Sequence, residues 1–517
     1  MTVRATVLRS FYQDSVVLMR VAGQVNKRPG VHKAAAFMGT ASNHALLAQA
    51  ALATTEIETA TAEDLILAVE ADREEIAEAA LAEARELLLE RRKTVDETSE
   101  HRPHTLESAL RHQPNANLVT ISVPGAFAKI EAMRALRRDL HVFIFSDNVS
   151  LEDEVELKRE AARRNLLCMG PDCGTAYIGG TGLGFFNAVP KGRVGCVAAS
   201  GTGLQAVASR LAMLGEGLSH GIGVGSRDLS AEVGGDMTFR VIDALAADSA
   251  TEAIVVISKP PDPEVAVRLE QAVSEVGKPV VVCSFSETIG TRDGVLWVGG
   301  LDEAAEATAA LLRGVPWTPQ PFGDPDAVRR RLMAGAAGDR LGDGRILGLY
   351  TGGTLAQEAV LALRPLIGPV EIGGDPADPE GGHRIVDLGD DAYTLGRPHP
   401  MIDPETRTAV VDGLTPSTKV GVLLLDLVLG RGAAEDPAAP LAESISALRQ
   451  RYAAAGKDLA VVASVVGTES DPQSLPDQIA RLTAAGVQVL PTNAEAARFA
   501  ALLVKPNLAD RILEVQA

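Results

Sequence analysis

At 517 residues the chain exceeds one hydrophobic core, and about three to four domains is the natural expectation; 46% hydrophobic residues with only 3% aromatics suits α/β domains packed with aliphatic side chains. A net charge of −19 with no basic run argues against a nucleic-acid surface, and Cys168, Cys173, Cys196 and Cys283 lack zinc-ligand spacing, so no metal is expected. No apolar run approaches the roughly 20 residues of a membrane span and the start has no signal-peptide stretch, so a soluble, cytoplasmic protein is expected.

Residues 1–95 alternate strand-like segments (Val3–Leu8, His32–Met38, Leu65–Val69) with helical ones (Asp14–Val25, Ser42–Leu52, Arg73–Lys93), which predicts a small α+β module with a βαβ-like pattern. Thr94–Asn115 is polar, contains Pro103 and Pro114, and is expected to be a linker. Residues 116–190 form a Rossmann-like unit: strand Leu118–Val123, helix Ala126–Arg138, strand His141–Phe145, helix Leu151–Arg164 and strand Leu166–Met169. Asp147 and Asn148 are expected to cap the following helix. Gly179-Gly180-Thr181-Gly182-Leu183-Gly184 looks like a dinucleotide fingerprint but lacks a clear strand before it and helix after it, so it is taken as a loop.

Two further units, 191–314 and 345–517, share one layout, with the Pro/Gly/Asp-rich segment Gly314–Gly344 as a hinge. Each opens with an apolar strand (Val194–Ala199, Ile346–Tyr350), a glycine-rich turn and a helix. The turns are Ser200-Gly201-Thr202-Gly203 and Thr351-Gly352-Gly353-Thr354. Such a turn frees backbone N–H groups at a helix end that carries roughly half a positive charge. Ser200, Gly201, Thr202, Gly203, Gly352, Gly353 and Thr354 are therefore the candidate phosphate ligands, two cradles facing one anion. The alternation of strands and helices in both units predicts doubly wound parallel sheets.

These residues resemble a known superfamily. Ala116 to about Pro260 is similar to the α subunit of succinyl-CoA synthetase, through Val123-Pro124-Gly125-Ala126-Phe127, Met169-Gly170-Pro171-Asp172-Cys173, the Ser200-Gly201-Thr202 turn and Gly221-Ile222-Gly223-Val224-Gly225. Arg345 to about Leu503 resembles the carboxyl-terminal domain of that enzyme's β subunit. The fused order behind a small N-terminal module resembles the FdrA family, whose own motifs are similar to Phe11-Tyr12-Gln13-Asp14-Ser15, Ser146-Asp147-Asn148-Val149 and the run Gly396 to Pro404. The resemblance implies a fold with a CoA-binding-type Rossmann-like domain and two flavodoxin-like domains, and a phosphoryl group held between the two lobes.

The chain departs from that pattern at the chemical centre. The phosphohistidine should follow Val280–Phe285, yet Ser286 to Arg292 follows and no histidine lies between His220 and His383. Lys259 stands where the glutamate that steadies that histidine should be; a lysine suits an anion, not a neutral imidazole. No ATP-grasp segment is recognisable. The resemblance to FdrA-type proteins implies carbamoyl phosphate (or a related acyl phosphate) as co-substrate, a small amide or ureido acceptor such as oxamate, and companion subunits with self-association also in view. An acyl-CoA synthetase using CoA and a non-catalytic phosphate-binding scaffold are the alternatives. Lys259, Arg397 and His399 are the candidate catalytic residues, the last two on a loop stiffened by Pro398 and Pro400. Arg227 and Asp228 either grip a substrate carboxylate or serve as a surface Arg beside a helix-capping Asp.

Overall fold

The computed structural model describes residues 1–11, 13, 15–26, 28–96, 103–285, 289–334, 341, 344–394 and 399–513. Residues 1–114 with Thr394 form one compact unit, and 115–393 with 399–513 form another.

In the first unit, strands Thr2–Leu8 and Val31–Met38 flank Leu65–Ala71, and both pair with it antiparallel. The βαβ-like pattern expected from sequence is thus an antiparallel sheet. The central strand is apolar at every position but one because both its faces are covered. Leu65, Leu67 and Val69 pack with Leu18, Val21, Ala77 and Leu88 of helices Ser15–Asn26 and Glu74–Asp96, while Ile66 and Ala68 pack with Leu47, Leu52 and Ile57. The segment expected to be a linker contains a short helix, Leu106–His112, closed by a capping box between Thr105 and Ser108.

Among the described residues the second unit contains three sheets. Leu118–Ile121, His141–Ile144 and Cys168–Met169 make a small parallel sheet, crossed by helices Gly125–Leu136 and Leu151–Arg163. Ser150 caps the second helix by accepting from Asp153 N, so Asp147 and Asn148 do not have that role. Their carbonyls instead press on Gly125, where a Cβ would lie 2.2 Å from Asp147 O.

The two following lobes repeat one topology. Parallel strands Lys191–Ala198, Leu218–Gly223, Ala253–Ile257, Val280–Cys283 and Val295–Val298 lie in the spatial order 2-1-3-4-5. Arg345–Tyr350, Arg384–Asp387, Val420–Val428, Ala460–Val466 and Val487–Leu490 lie in the same order. This is the flavodoxin-like arrangement, a fold in which ligands generally bind outside the carboxyl ends of the strands where the order reverses.

The first lobe also carries two antiparallel hairpins absent from the sequence reading, Gly290–Arg292 with Val295–Val298 and Thr175–Ile178 with Thr181–Gly184. Gly179 and Gly180, both at positive φ, turn the second hairpin, so the fingerprint-like run is a hairpin tip. Thr175–Ile178 pairs with Leu218–Gly223, which moves the boundary expected at 190 back to about residue 174. Helices Pro325–Ala334, Glu405–Gly413 and Leu475–Ala484 were likewise not anticipated.

Candidate functional site

Each lobe's first strand delivers its turn to the amino end of a helix. In the first, Ser200 is extended at the N-cap and its Oγ accepts from Gly203 N at 3.0 Å, starting helix Gly201–Met213. That bond uses the Gly203 amide and leaves those of Gly201 and Thr202 without an acceptor among the described residues. Thr175 faces Gly201, with its Oγ1 3.2 Å from where a Cβ on that glycine would stand. The hydroxyl is fully buried and has no hydrogen-bond partner among the described residues.

In the second lobe, Gly352 is the N-cap of helix Gly353–Ile367 and supplies no side chain. The preceding turn is fixed from below by Asp426, a lone acid inside the apolar strand Val420–Val428. Its carboxylate accepts from Thr351 N at 2.9 Å, Thr351 Oγ1 at 3.1 Å and Gly352 N at 2.9 Å, and it pairs with Arg407 at 3.1 Å. Burial pushes the Asp426 carboxyl up and the Arg407 guanidinium down, and their mutual attraction opposes both shifts. Gly352, expected to present its amide to phosphate, therefore spends it on Asp426. Among the described residues the amides of Gly353, Thr354 and Leu355 in this turn have no acceptor.

The two cradles meet. Thr354 Oγ1 donates to Ser200 Oγ at 2.5 Å. A Cβ on Gly352 would lie 3.0 Å from Cγ2 and Oγ1 of Thr202, so any larger residue would press on Thr202 and force it to shift. A strap holds the lobes in that relation. Asn187 Nδ2 donates to Leu429 O at 2.9 Å and Asp471 Oδ2 at 2.8 Å, and Ala188 N donates to Asp471 Oδ1 at 2.7 Å. Deeper between the lobes, buried Glu358 accepts from Leu301 N at 2.7 Å and Asn493 Nδ2 at 2.8 Å. Burial, aided by the charge of Asp302, pushes its carboxyl up to about 8.

Three further groups gather at the second cradle. Asp387 ends strand Arg384–Asp387, with Oδ2 2.4 Å from where a Cβ on Gly353 would stand and Oδ1 accepting from Gly389 N at 2.9 Å. Burial, aided by Asp426 and Asp390, pushes its carboxyl up to about 6, while the charge of Lys259 pulls the other way. Lys259 is exposed, just past the end of strand Ala253–Ile257 in the other lobe. His399 brings Nε2 within 2.7 Å of a notional Cβ on Gly389. Its Nδ1 accepts from Met401 N at 3.2 Å, so in the neutral ring the proton sits on Nε2. Burial pushes the imidazole down to about 4, against the charge of Asp147, and the ring is neutral at pH 7.

The expected carboxylate clamp is spoken for. Asp228 is buried, pairs with Lys158 at 2.7 Å and accepts from Thr238 N at 2.8 Å and from Thr238 Oγ1 at 2.6 Å. Arg227 donates to Glu154 Oε2 at 2.7 Å and to Val149 O at 2.8 Å. Both tie the 116–174 domain to the first lobe, because the Lys158–Glu154 pair, 2.8 Å apart, comes from that domain. Arg397 lies outside the described residues, as do Ser286, Glu287 and Thr288 where a phosphohistidine loop would fall. Asp387, Asp426 and Thr175 were missed by sequence reasoning. The lone acid in an apolar strand was a readable signal for Asp426, and the acid closing Ile385-Val386 for Asp387.

Residues 349–503 match the family described as CoA-ligase, and residues 1–104 match the AllF heavy metal-associated domain. The uncharacterized protein YahF of Escherichia coli strain K12 is 40% identical over 503 residues, covering 94% of this chain and 96% of its own. The chain belongs to the FdrA-type family that includes YahF. It carries a CoA-ligase domain in a fused, succinyl-CoA synthetase-like architecture. Solved structures also align, among them Ca. Korarchaeum cryptofilum dinucleotide forming acetyl-coenzyme A synthetase 1 with phosphate and ADP (15% identity, 78% of this chain, 85% of that one, TM-score 0.30). ATP citrate lyase from Methanothrix soehngenii aligns over 41% of this chain and 37% of its own, with 18% identity and a TM-score of 0.31. Scores this low bear on neither activity nor substrate.

The metal implied by the N-terminal family does not fit this chain. Residues 1–104 contain no cysteine, so they offer no thiolate for a soft metal, and no group of three His, Cys, Asp or Glu among the described residues is arranged to hold an ion. Among the described residues no helix is long and apolar enough to cross a membrane.

Proposed function

We propose that the chain is the acyl-phosphate-handling subunit of an acyl-CoA synthetase-type enzyme. In the reaction envisaged, the thiol sulfur of CoA attacks the acyl carbon and the C–O bond to phosphate breaks. The thiol proton ends on the departing phosphate, which the two helix ends receive. The carrying observation is the meeting of the two cradles, where among the described residues the amides of Gly201, Thr202, Gly353, Thr354 and Leu355 have no acceptor and the hydroxyl of Thr175, close to Gly201, has no partner. Preorganised donors of this kind stabilise charge as it develops on a leaving group. Lys259 adds a full positive charge from the first lobe, and the Nε2–H of His399 suits the carbonyl oxygen. The CoA-ligase match over the second lobe supports the thiol acceptor.

A covalent relay finds no support: no histidine lies between His220 and His383, and the Nε2 of His399 carries its proton. That lack favours a second reading, in which carbamoyl phosphate is used directly and a small amide such as oxamate is the acceptor. The occupied state of Arg227 and Asp228 removes the carboxylate clamp that this acceptor invited. The discriminating experiment measures phosphate release by the full chain with acetyl phosphate plus CoA, and with carbamoyl phosphate plus oxamate, each with and without proteins encoded beside it. CoA-dependent release that drops about tenfold or more in Lys259→Ala is expected. Release only with carbamoyl phosphate establishes the second reading. Release by the companions with this chain omitted leaves it a scaffold and overturns both.

A further inference from the structure

Asp387 is out of place in a phosphate cradle. A carboxylate repels a phosphate dianion, yet Oδ2 stands at the first residue of the second cradle helix, where an anion has most to gain. The position is not a helix cap, because helix Gly353–Ile367 has no side-chain cap, and Oδ2 has no hydrogen-bond partner among the described residues. Oδ1, by contrast, is satisfied by Gly389 N. The structure thus presents one unfilled acceptor among a set of donors: the amides of Gly201, Thr202, Gly353 and Thr354, the Thr175 hydroxyl and Lys259. An ionised carboxylate accepts hydrogen bonds and donates none.

We propose that Asp387 makes the paired cradles selective for inorganic phosphate that still carries a proton, and against sulfate. Hydrogen phosphate has a P–OH that donates to Oδ2 while its other oxygens accept from the amides. Sulfate carries no proton near neutral pH, so it meets Oδ2 as a bare repulsion. This is discrimination by an unfavourable contact with the wrong ligand, not by an added attraction to the right one. The inference rests on the cradle reading above and names the phosphate species that site takes, which is the one released or consumed as an acyl phosphate turns over.

The groups facing the carboxyl fix the sense of its pH dependence. Burial pushes its titration up and the Gly389 N–H holds it down; Asp426, two strands away in the sheet, and Asp390 from its own loop add to the rise, and Lys259 from the first lobe pulls it down. Arg407 is engaged with Asp426, and His399 is neutral beside Gly389. As pH falls below about 6 the carboxyl takes up a proton and donates to either anion, so selectivity declines.

The test is calorimetric titration of the full chain with inorganic phosphate and with sulfate at constant ionic strength. At pH 7.5 phosphate should bind about 10- to 100-fold more tightly than sulfate, the range expected when a charged hydrogen-bond partner is lost. Asp387→Asn should bring the two affinities within a few-fold of each other, chiefly by tightening sulfate. The wild-type chain supplies a second measure that does not depend on how the variant folds: its ratio should shrink between pH 7.5 and pH 5. Phosphate binding without preference over sulfate, a ratio unchanged in Asp387→Asn, or a ratio flat with pH overturns the role given to Asp387 and leaves the cradles standing. Failure of the wild-type chain to bind phosphate at all overturns the cradle reading with it.

Discussion

Replacing Asp426 with Asn tests whether the second cradle is held by one buried acid. The carboxylate is fully buried and accepts from Thr351 N, Thr351 Oγ1 and Gly352 N while neutralising Arg407, itself almost wholly buried. Asparagine keeps one acceptor oxygen but turns an NH2 toward groups that are all donors, and it strands the Arg407 charge. Breaking a buried ion pair from one side costs about 3–5 kcal/mol, most of it the penalty of the uncompensated partner. Loss of the remaining charge-assisted bonds falls within the same range, since those donors face the same stranded pocket. The assay is urea unfolding, with phosphate titration alongside. Asp426→Asn should lose about 3–5 kcal/mol and bind phosphate at least about tenfold more weakly, because Thr351 and Gly352 no longer aim the helix end. Adding Arg407→Leu should restore part of the stability by removing the orphaned charge, but not the phosphate affinity. A loss below about 1 kcal/mol, or full phosphate affinity in the single variant, would refute the reasoning.

Two further outcomes follow from buried charge. Lys158 Nζ donates to Glu154 Oε1, Asp228 Oδ1 and Val224 O at 2.7–2.9 Å, so Lys158→Met leaves two buried carboxylates facing each other. It should cost about 3–5 kcal/mol in urea unfolding, and a loss under about 1 kcal/mol would show that the network contributes little. Glu358, whose carboxyl is pushed up to about 8, binds a proton in the folded chain that the unfolded chain gives up near 4.5. Its contribution is therefore fully present below 4.5 and is lost as pH rises through about 8. The melting temperature should fall across that window in the native chain and fall less in Glu358→Gln; parallel curves would exclude Glu358 as the cause.

The alternation of apolar strands and capped helices was legible because each element is a local pattern: Val420–Val428 is buried throughout and reads as an unbroken apolar run but for Asp426. The paired cradles were legible for the same reason, since strand, glycine turn and helix follow one another along the chain. The hairpin Thr175–Ile178 with Thr181–Gly184 was not, because four glycines (Gly179, Gly180, Gly182 and Gly184) dilute its period-two signal and its pairing with Leu218–Gly223 spans some forty residues.

What the sequence alone determined is therefore the fold class, the lobe repeat and the existence of two glycine turns that each open a helix, all functions of near neighbours. The tertiary structure decided which polar groups near those turns are already engaged. It assigned the Gly352 amide to Asp426, 74 residues away, gave Asp228 to Lys158, 70 residues away, and set Asp387 of one lobe within the field of Lys259 from the other. Whether a polar group is free for a ligand depends on which distant partner burial brings to it, and no local pattern encodes that.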